Sequence, residues 1–175
     1  VMLRDAELLL AEGADGIAWG SLTTDRGVER SICAAMVCLA GQRETVFHRA
    51  FDCVVDPMQA ANELADLGVT RIMTSGQAES ALAGSSLIER LQRSLAHRIQ
   101  FLPAGGVRPE NVEALLQQTG CRQVHGSFRT YRHDPAFPVA DAQYGVTDRQ
   151  LVRAVRQAVA DCRRTKGREN DGMTN

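Results

Sequence analysis

The sequence is almost without lysine: Lys166 is its single example, and it lies in a polar C-terminal stretch. Schiff-base catalysis needs a lysine amine depressed in a pocket, so chemistry of the class I aldolase type is disfavoured within these residues. Long apolar runs are missing too. A membrane-spanning helix needs about 20 consecutive apolar residues, and no comparable run occurs. The opening residues lack the charged, apolar and small-residue blocks of a signal peptide. Net charge of either sign is also lacking, the formal value being −1 at pH 7. With no basic stripe or aromatic ladder either, nucleic acid and membrane surfaces are not expected partners.

Cysteines are few and badly spaced for cross-linking. They are Cys33, Cys38, Cys53, Cys121 and Cys162, an odd number with no C-x-x-C pair. Cys33 and Cys38 fall on one predicted helix, where their spacing turns them about 140° apart. That pattern fits a reduced, cytoplasmic setting better than a disulfide framework, and it makes a weak metal-ligand set.

What is present is an ordinary globular composition, 44% hydrophobic and 23% charged, arranged in a regular beat. Candidate strands are Gly16–Gly20, Thr45–Arg49, Thr70–Thr74, Ile99–Ala104 and Arg122–Gly126, with amphipathic helical segments between them. Such alternation implies a mostly parallel sheet covered by helices. Leu3, Ala6 and Leu10 form a helix stripe ending at Gly13, and Val28, Ile32, Ala35 and Leu39 form a second between Asp25 and Gly41. Asp56 and Pro57 supply an N-cap and a first-turn proline for a helix that Gly68 ends. Ser86 and Glu89 have capping-box spacing. Pro109 opens a helix carrying Val112, Leu115 and Leu116, which Gly120 terminates. A last helix is predicted over 148–163, with Leu151, Val155 and Val159 facing inward.

Two segments look irregular. Residues 128–146 read as a connection long enough for a lid or a subunit contact, with Phe128, Tyr131, Phe137 and Tyr144 as candidate anchors. Residues 164–175 read as a polar, disordered tail. The first stripe has nothing before Val1 to cap it, so the chain reads as opening inside a βα unit. Periodicity leaves two folds open, a five-stranded doubly wound sheet or part of an eight-stranded barrel.

Four strand ends carry polar or glycine-rich runs that core packing does not explain: Phe47–Asp52 (FHRAFD), Thr74–Gln77 (TSGQ), Pro103–Asn111 (PAGGVRPEN) and Val124–Ser127 (VHGS). In this order and spacing they resemble the CutC family of copper-homeostasis proteins over residues 1–126. The resemblance implies an incomplete α/β TIM (β/α)8 barrel spanning residues 1–163. The four runs would end strands five to eight, with about the first three strands absent from the chain. It also implies a cytoplasmic protein of copper homeostasis, homo-oligomeric at full length, with copper as the cofactor or cargo. Two departures stand out. Ala104 occupies a position where the family usually has another glycine, and Gly126 one where cysteine or serine is common. The cysteines usually discussed for the family lie on its early strands, so none of the five here is assigned as a ligand.

In a barrel, strand C-termini and the loops after them share one mouth. His48, Asp52 and His125 are then candidates for an acid–base or ligand cluster. Alternatively, Asp52 caps the next turn and His48 satisfies a buried carbonyl. Arg49 has the planar fork of a carboxylate or phosphate binder, or is an internal ion-pair partner. Ser75 and Gly76 suit an anion contact or an ordinary loop. Gly105, Gly106 and Arg108 precede a helix whose free amides could face an anion, or make a tight turn at positive φ. Ser127 completes the anion-binding set. Three functions follow: a copper-associated protein, an enzyme acting on a small anionic or phosphorylated metabolite, and a non-catalytic oligomeric scaffold.

Overall fold

A computed structural model describes residues 1–136 and 142–171. The chain runs α1 (Met2–Ala11), β1 (Gly16–Trp19), α2 (Arg30–Ala40), β2 (Glu44–Phe47), a 3-10 helix (Arg49–Cys53), α3 (Pro57–Asp66) and β3 (Arg71–Thr74). It continues through α4 (Ser85–Leu95), β4 (Gln100–Pro103), α5 (Val112–Thr119), β5 (Arg129–His133), β6 (Gln143–Thr147) and α6 (Arg149–Asp171). No helix among the described residues is long and apolar enough to cross a membrane.

β1 to β4 form one sheet in the order β1-β2-β3-β4, every pair parallel. The order is sequential, without the reversal that marks a doubly wound sheet. Each strand is four residues long, and its β-branched and aromatic members give the alternation that a helix-covered sheet requires. Phe47, Ile72 and Phe101 point inward from β2, β3 and β4 and are fully or almost fully buried. They meet Leu64 of α3, Ile88 and Leu91 of α4, and Val112, Leu115 and Leu116 of α5 in one core. Burial of each such side chain stabilises the fold by about 1.5–3 kcal/mol.

The predicted fifth strand is not formed. Arg122–Gly126 joins the sheet at a single parallel bridge, Ala104 to His125, with the His125 amide donating to the Pro103 carbonyl at 2.9 Å. The stretch after it differs from expectation as well. Here β5 and β6 pair as an antiparallel hairpin, in register from Arg129↔Thr147 to His133↔Gln143. Its short alternation of arginines and tyrosines carries little apolar signal, because the hairpin is largely exposed. Phe137, named above as a candidate anchor, lies outside the described residues.

Helix ends show which start signals act. Asp56 accepts from the Met58 and Gln59 amides at 3.0 Å and caps α3 as predicted. The capping box at Ser86 does not form. α4 begins two residues earlier, behind Gly84 and without a side-chain cap, and Glu89 pairs with Arg93 instead. The backbone contact between Gly76 and Gly84 fixes that start: a Cβ on Gly76 would lie 2.2 Å from the Gly84 carbonyl oxygen. α5 begins at Val112, three residues after Pro109, and ends at Gly120 in the left-handed conformation. α6 buries Val155 against the core and extends to Asp171, so residues 164–171 continue a helix where a disordered tail was expected. Glu, Arg and Lys are good helix formers, and polarity alone does not end a helix.

Candidate functional site

The C-terminal ends of β2, β3 and β4 place the polar runs side by side, as parallel strands of equal length must. The tightest cluster centres on Asp52, in the 3-10 helix after β2. Its carboxylate accepts from Arg49 Nε at 2.7 Å, Thr74 Oγ1 at 2.5 Å and the Ser75 amide at 2.9 Å. The Gln77 amide approaches at 3.4 Å and Ser75 Oγ at 3.0 Å. That hydroxyl also accepts from Arg49 Nη2 at 2.9 Å, and its one proton goes either to Asp52 or to the Ala78 carbonyl at 2.6 Å. The side chain of Asp52 is only 10% exposed, so these charge-assisted bonds hold it firmly. Gln77 secures the same turn from above, donating to the Val54 carbonyl at 2.6 Å.

The arrangement gives His48 and Asp52 separate partners, and His48 accepts from an amide where donation to a buried carbonyl was the alternative. The two do not pair. The Asp52 carboxylate is taken up by β3 and Arg49, while His48 Nδ1 accepts from the Ala50 amide at 3.0 Å and caps the 3-10 helix. The neutral imidazole therefore carries its proton on Nε2. The ring lies against the backbone of Gly20 at the end of β1, within van der Waals reach of its α-carbon. Of His48, Asp52 and His125, His125 lines a cavity that the other two do not line. Arg49 lies beyond the end of β2, as the first residue of the 3-10 helix, and its side chain turns toward Ser75 after β3.

The cavity has a volume of about 330 Å³ and lies beyond β3 and β4. Its floor is Met73, Ala104 and the Gly105–Gly106 turn, and Arg49 and Arg108 edge it. His125, Gly126, Ser127, Phe128 and Arg129 close the far side, with Tyr131 of β5 and Leu151 of α6 behind them. Gly105 and Gly106 have φ of +108° and +67°, so the tight-turn reading of the glycine pair holds. That turn also brings the Gly105 backbone against the Arg49 guanidinium, where a Cβ would be 3.4 Å from Nη1. The Arg108 amide donates to Asn111 Oδ1 at 2.9 Å, and the Asn111 side chain donates back to the Gly106 carbonyl at 2.8 Å. The amides of Gly106 and Val107 donate to no atom of the described residues. Ala104 is buried and bridged to His125, and it forms part of the floor.

Of the residues read from sequence as anion contacts, Arg49, Gly105, Gly106, Arg108 and Ser127 line the cavity. Ser75 supports Arg49 from beneath, and Gly76 is buried in the turn against Gly84. Arg129, Thr74 and Tyr131 are the site residues that motif reading did not assign. Arg129 lies two residues beyond the end of the polar Val124–Ser127 run, and that nearness is the signal that could have found it. A larger hollow of about 590 Å³ lies at the opposite end of the sheet, beside Gln100 and Gln123, whose amides bond each other at 2.7 Å.

The CutC family model matches residues 1–130. A CutC family protein of Treponema denticola is 39% identical over 135 residues, covering 77% of this chain and 55% of the relative. The copper homeostasis protein cutC homolog of Homo sapiens is 39% identical over 132 residues, covering 75% of this chain and 48% of the relative. Among solved structures, the CutC crystal structure from Streptococcus agalactiae superposes with a TM-score of 0.67 at 28% identity, covering 71% of this chain and 61% of that one. The chain spans about half the length of these curated relatives. With the family model matched over most of the chain, the chain belongs to the CutC family.

Proposed function

We propose that this chain supplies the anion-binding mouth of a CutC-type (β/α)8 barrel, and that the mouth takes a small phosphorylated or carboxylated metabolite. One observation carries this reading. The 330 Å³ cavity is lined by Arg49, Arg108 and Arg129, and among the described residues no aspartate or glutamate lines it. A concave site with one sign of charge focuses the field on a ligand of the other sign. The unengaged amides beside Arg108 are further donors of the kind that hold phosphate after late barrel strands. The sequential parallel sheet supports the barrel assignment. A shared fold carries no reaction class, so the proposal is one of ligand binding. Thermal-shift titration with inorganic phosphate tests it. Stabilisation that is lost on Arg108→Ala is expected, and no stabilisation by phosphate or any phosphate-bearing metabolite would refute it.

Copper homeostasis is the second reading, because the mouse and human relatives are named for it. The donors of this chain do not fit a copper centre. Among the described residues no group of three or more His, Cys, Asp or Glu side chains is placed to hold a metal ion. Copper(I) favours thiolates, and Cys33 is buried on α2 whereas Cys38 and Cys53 are exposed on separate elements. A copper role is proposed through residues other than these cysteines. Competition of the chain with a copper(I) chelator checks this. Affinity unchanged when all five cysteines are replaced by serine is the expected result. The free thiols of Cys33, Cys38 and Cys53 support a cytoplasmic setting.

A further inference from the structure

The three arginines of the cavity come from three separate segments, and their charges are balanced differently. Arg49 is compensated by Asp52. Arg108, in the β4–α5 loop, and Arg129, the first residue of β5, have no carboxylate partner among the described residues. Two uncompensated cations therefore face one small cavity, one on the sheet side beside the Gly106 and Val107 amides and the other on the hairpin.

The chain is bent with some force to put Arg129 there. Phe128 has φ of +44°, a left-handed conformation that costs a bulky residue about 1–3 kcal/mol and persists only where its surroundings fix it. Its ring folds back over Gly126, where a Cβ would lie 2.5 Å from the ring edge, so only glycine fits beneath it. The Phe128 carbonyl then accepts from the Asp148 amide at 2.8 Å and ties the base of the hairpin to the start of α6. Arg129 and Tyr131 are thus presented to the cavity by a defined turn, and this segment begins where the family match ends.

We propose that the cavity binds a ligand with two anionic groups on a short carbon skeleton, and that the hairpin sets its selectivity. One group sits at Gly106, Val107 and Arg108, and the other at Arg129, with His125, Ser127 and Tyr131 within reach of the skeleton. This rests on the anion-pocket reading above and adds a second, independently testable contact.

Isothermal titration of the full chain with inorganic phosphate and with 3-phosphoglycerate, a phosphate and a carboxylate on three carbons, tests it. The expected result is binding of 3-phosphoglycerate at least about tenfold tighter than phosphate, as an added charge-assisted pair predicts. Arg129→Ala should bring the ratio of the two dissociation constants to about one, with folding verified by its melting temperature. Arg132→Ala removes the same charge from the same strand outside the cavity and should leave the ratio as in the wild type. A wild-type ratio near one overturns the inference, as does a ratio that Arg129→Ala leaves intact or that Arg132→Ala lowers equally. In those cases phosphate binding sensitive to Arg108→Ala still stands. Failure of both probes to bind overturns this inference and the pocket reading together.

Discussion

At the scale of single residues, the centre of the site is a carboxylate that works by holding other groups. Asp52 gathers Arg49, Thr74 and Ser75 around itself, so Asp52→Ala leaves buried donors unsatisfied and frees the Arg49 fork. Loss of such a network typically costs about 2–4 kcal/mol. Urea unfolding should show a lower midpoint of that order, and an unchanged midpoint would remove Asp52 from its anchoring role. Sequence showed that Asp52 mattered and did not show to whom it was bonded. A motif fixes which side chains reach a strand end, whereas the choice between His48 and Arg49 as partner depends on the 3-10 turn between them. For Arg49 the ion-pair reading is realised at Asp52, and the side chain also lines the cavity. A thiol gives a second residue-level test. Burial pushes the pKa of Cys33 up, while Cys38 and Cys53 are exposed. The thiolate is the reactive form, so iodoacetamide at pH 8 should modify Cys33 after Cys38 and Cys53, as read by peptide mass spectrometry. The raised value also means that the stability contributed by the neutral thiol is full below the ordinary thiol pKa and is lost as pH rises through the folded one.

At the scale of elements, the caps are where local chemistry is most legible. Asp56 binds two amides at the start of α3, and Asp56→Ala should cost about 1 kcal/mol in chemical denaturation. Ser86 carries an equally good local signal and does not cap, so Ser86→Ala is expected to leave the midpoint almost unchanged. The difference is tertiary: the Gly76–Gly84 contact sets the first turn of α4 before Ser86 can compete. The same reasoning covers the strands. β1 to β4 are legible because they alternate between helices that bury them. Arg122–Gly126 has comparable residues but meets only one neighbour, and it forms one bridge. The hairpin was unreadable for the opposite reason, because its pairing is held by backbone hydrogen bonds while its side chains stay in solvent.

At the scale of the molecule, the sheet has an outer edge. β1 pairs with β2 alone among the described residues, and Leu8 and Leu9 of α1 are 49% and 57% exposed beside it. Unpaired strand edges and exposed apolar side chains invite association. Light scattering of the 175-residue chain should therefore show mass rising with concentration. A stable monomer across that range would contradict this.

The single bridge at His125 has a consequence for how such a protein changes over generations. The cavity floor is built into the buried sheet, where nearly every substitution is felt throughout the core. The opposite wall hangs from that sheet by one bridge and is solvent-facing along most of its length. Mutations there can redirect what the mouth prefers at little cost to folding. Taste and sturdiness are in this way inherited on separate stretches of one chain.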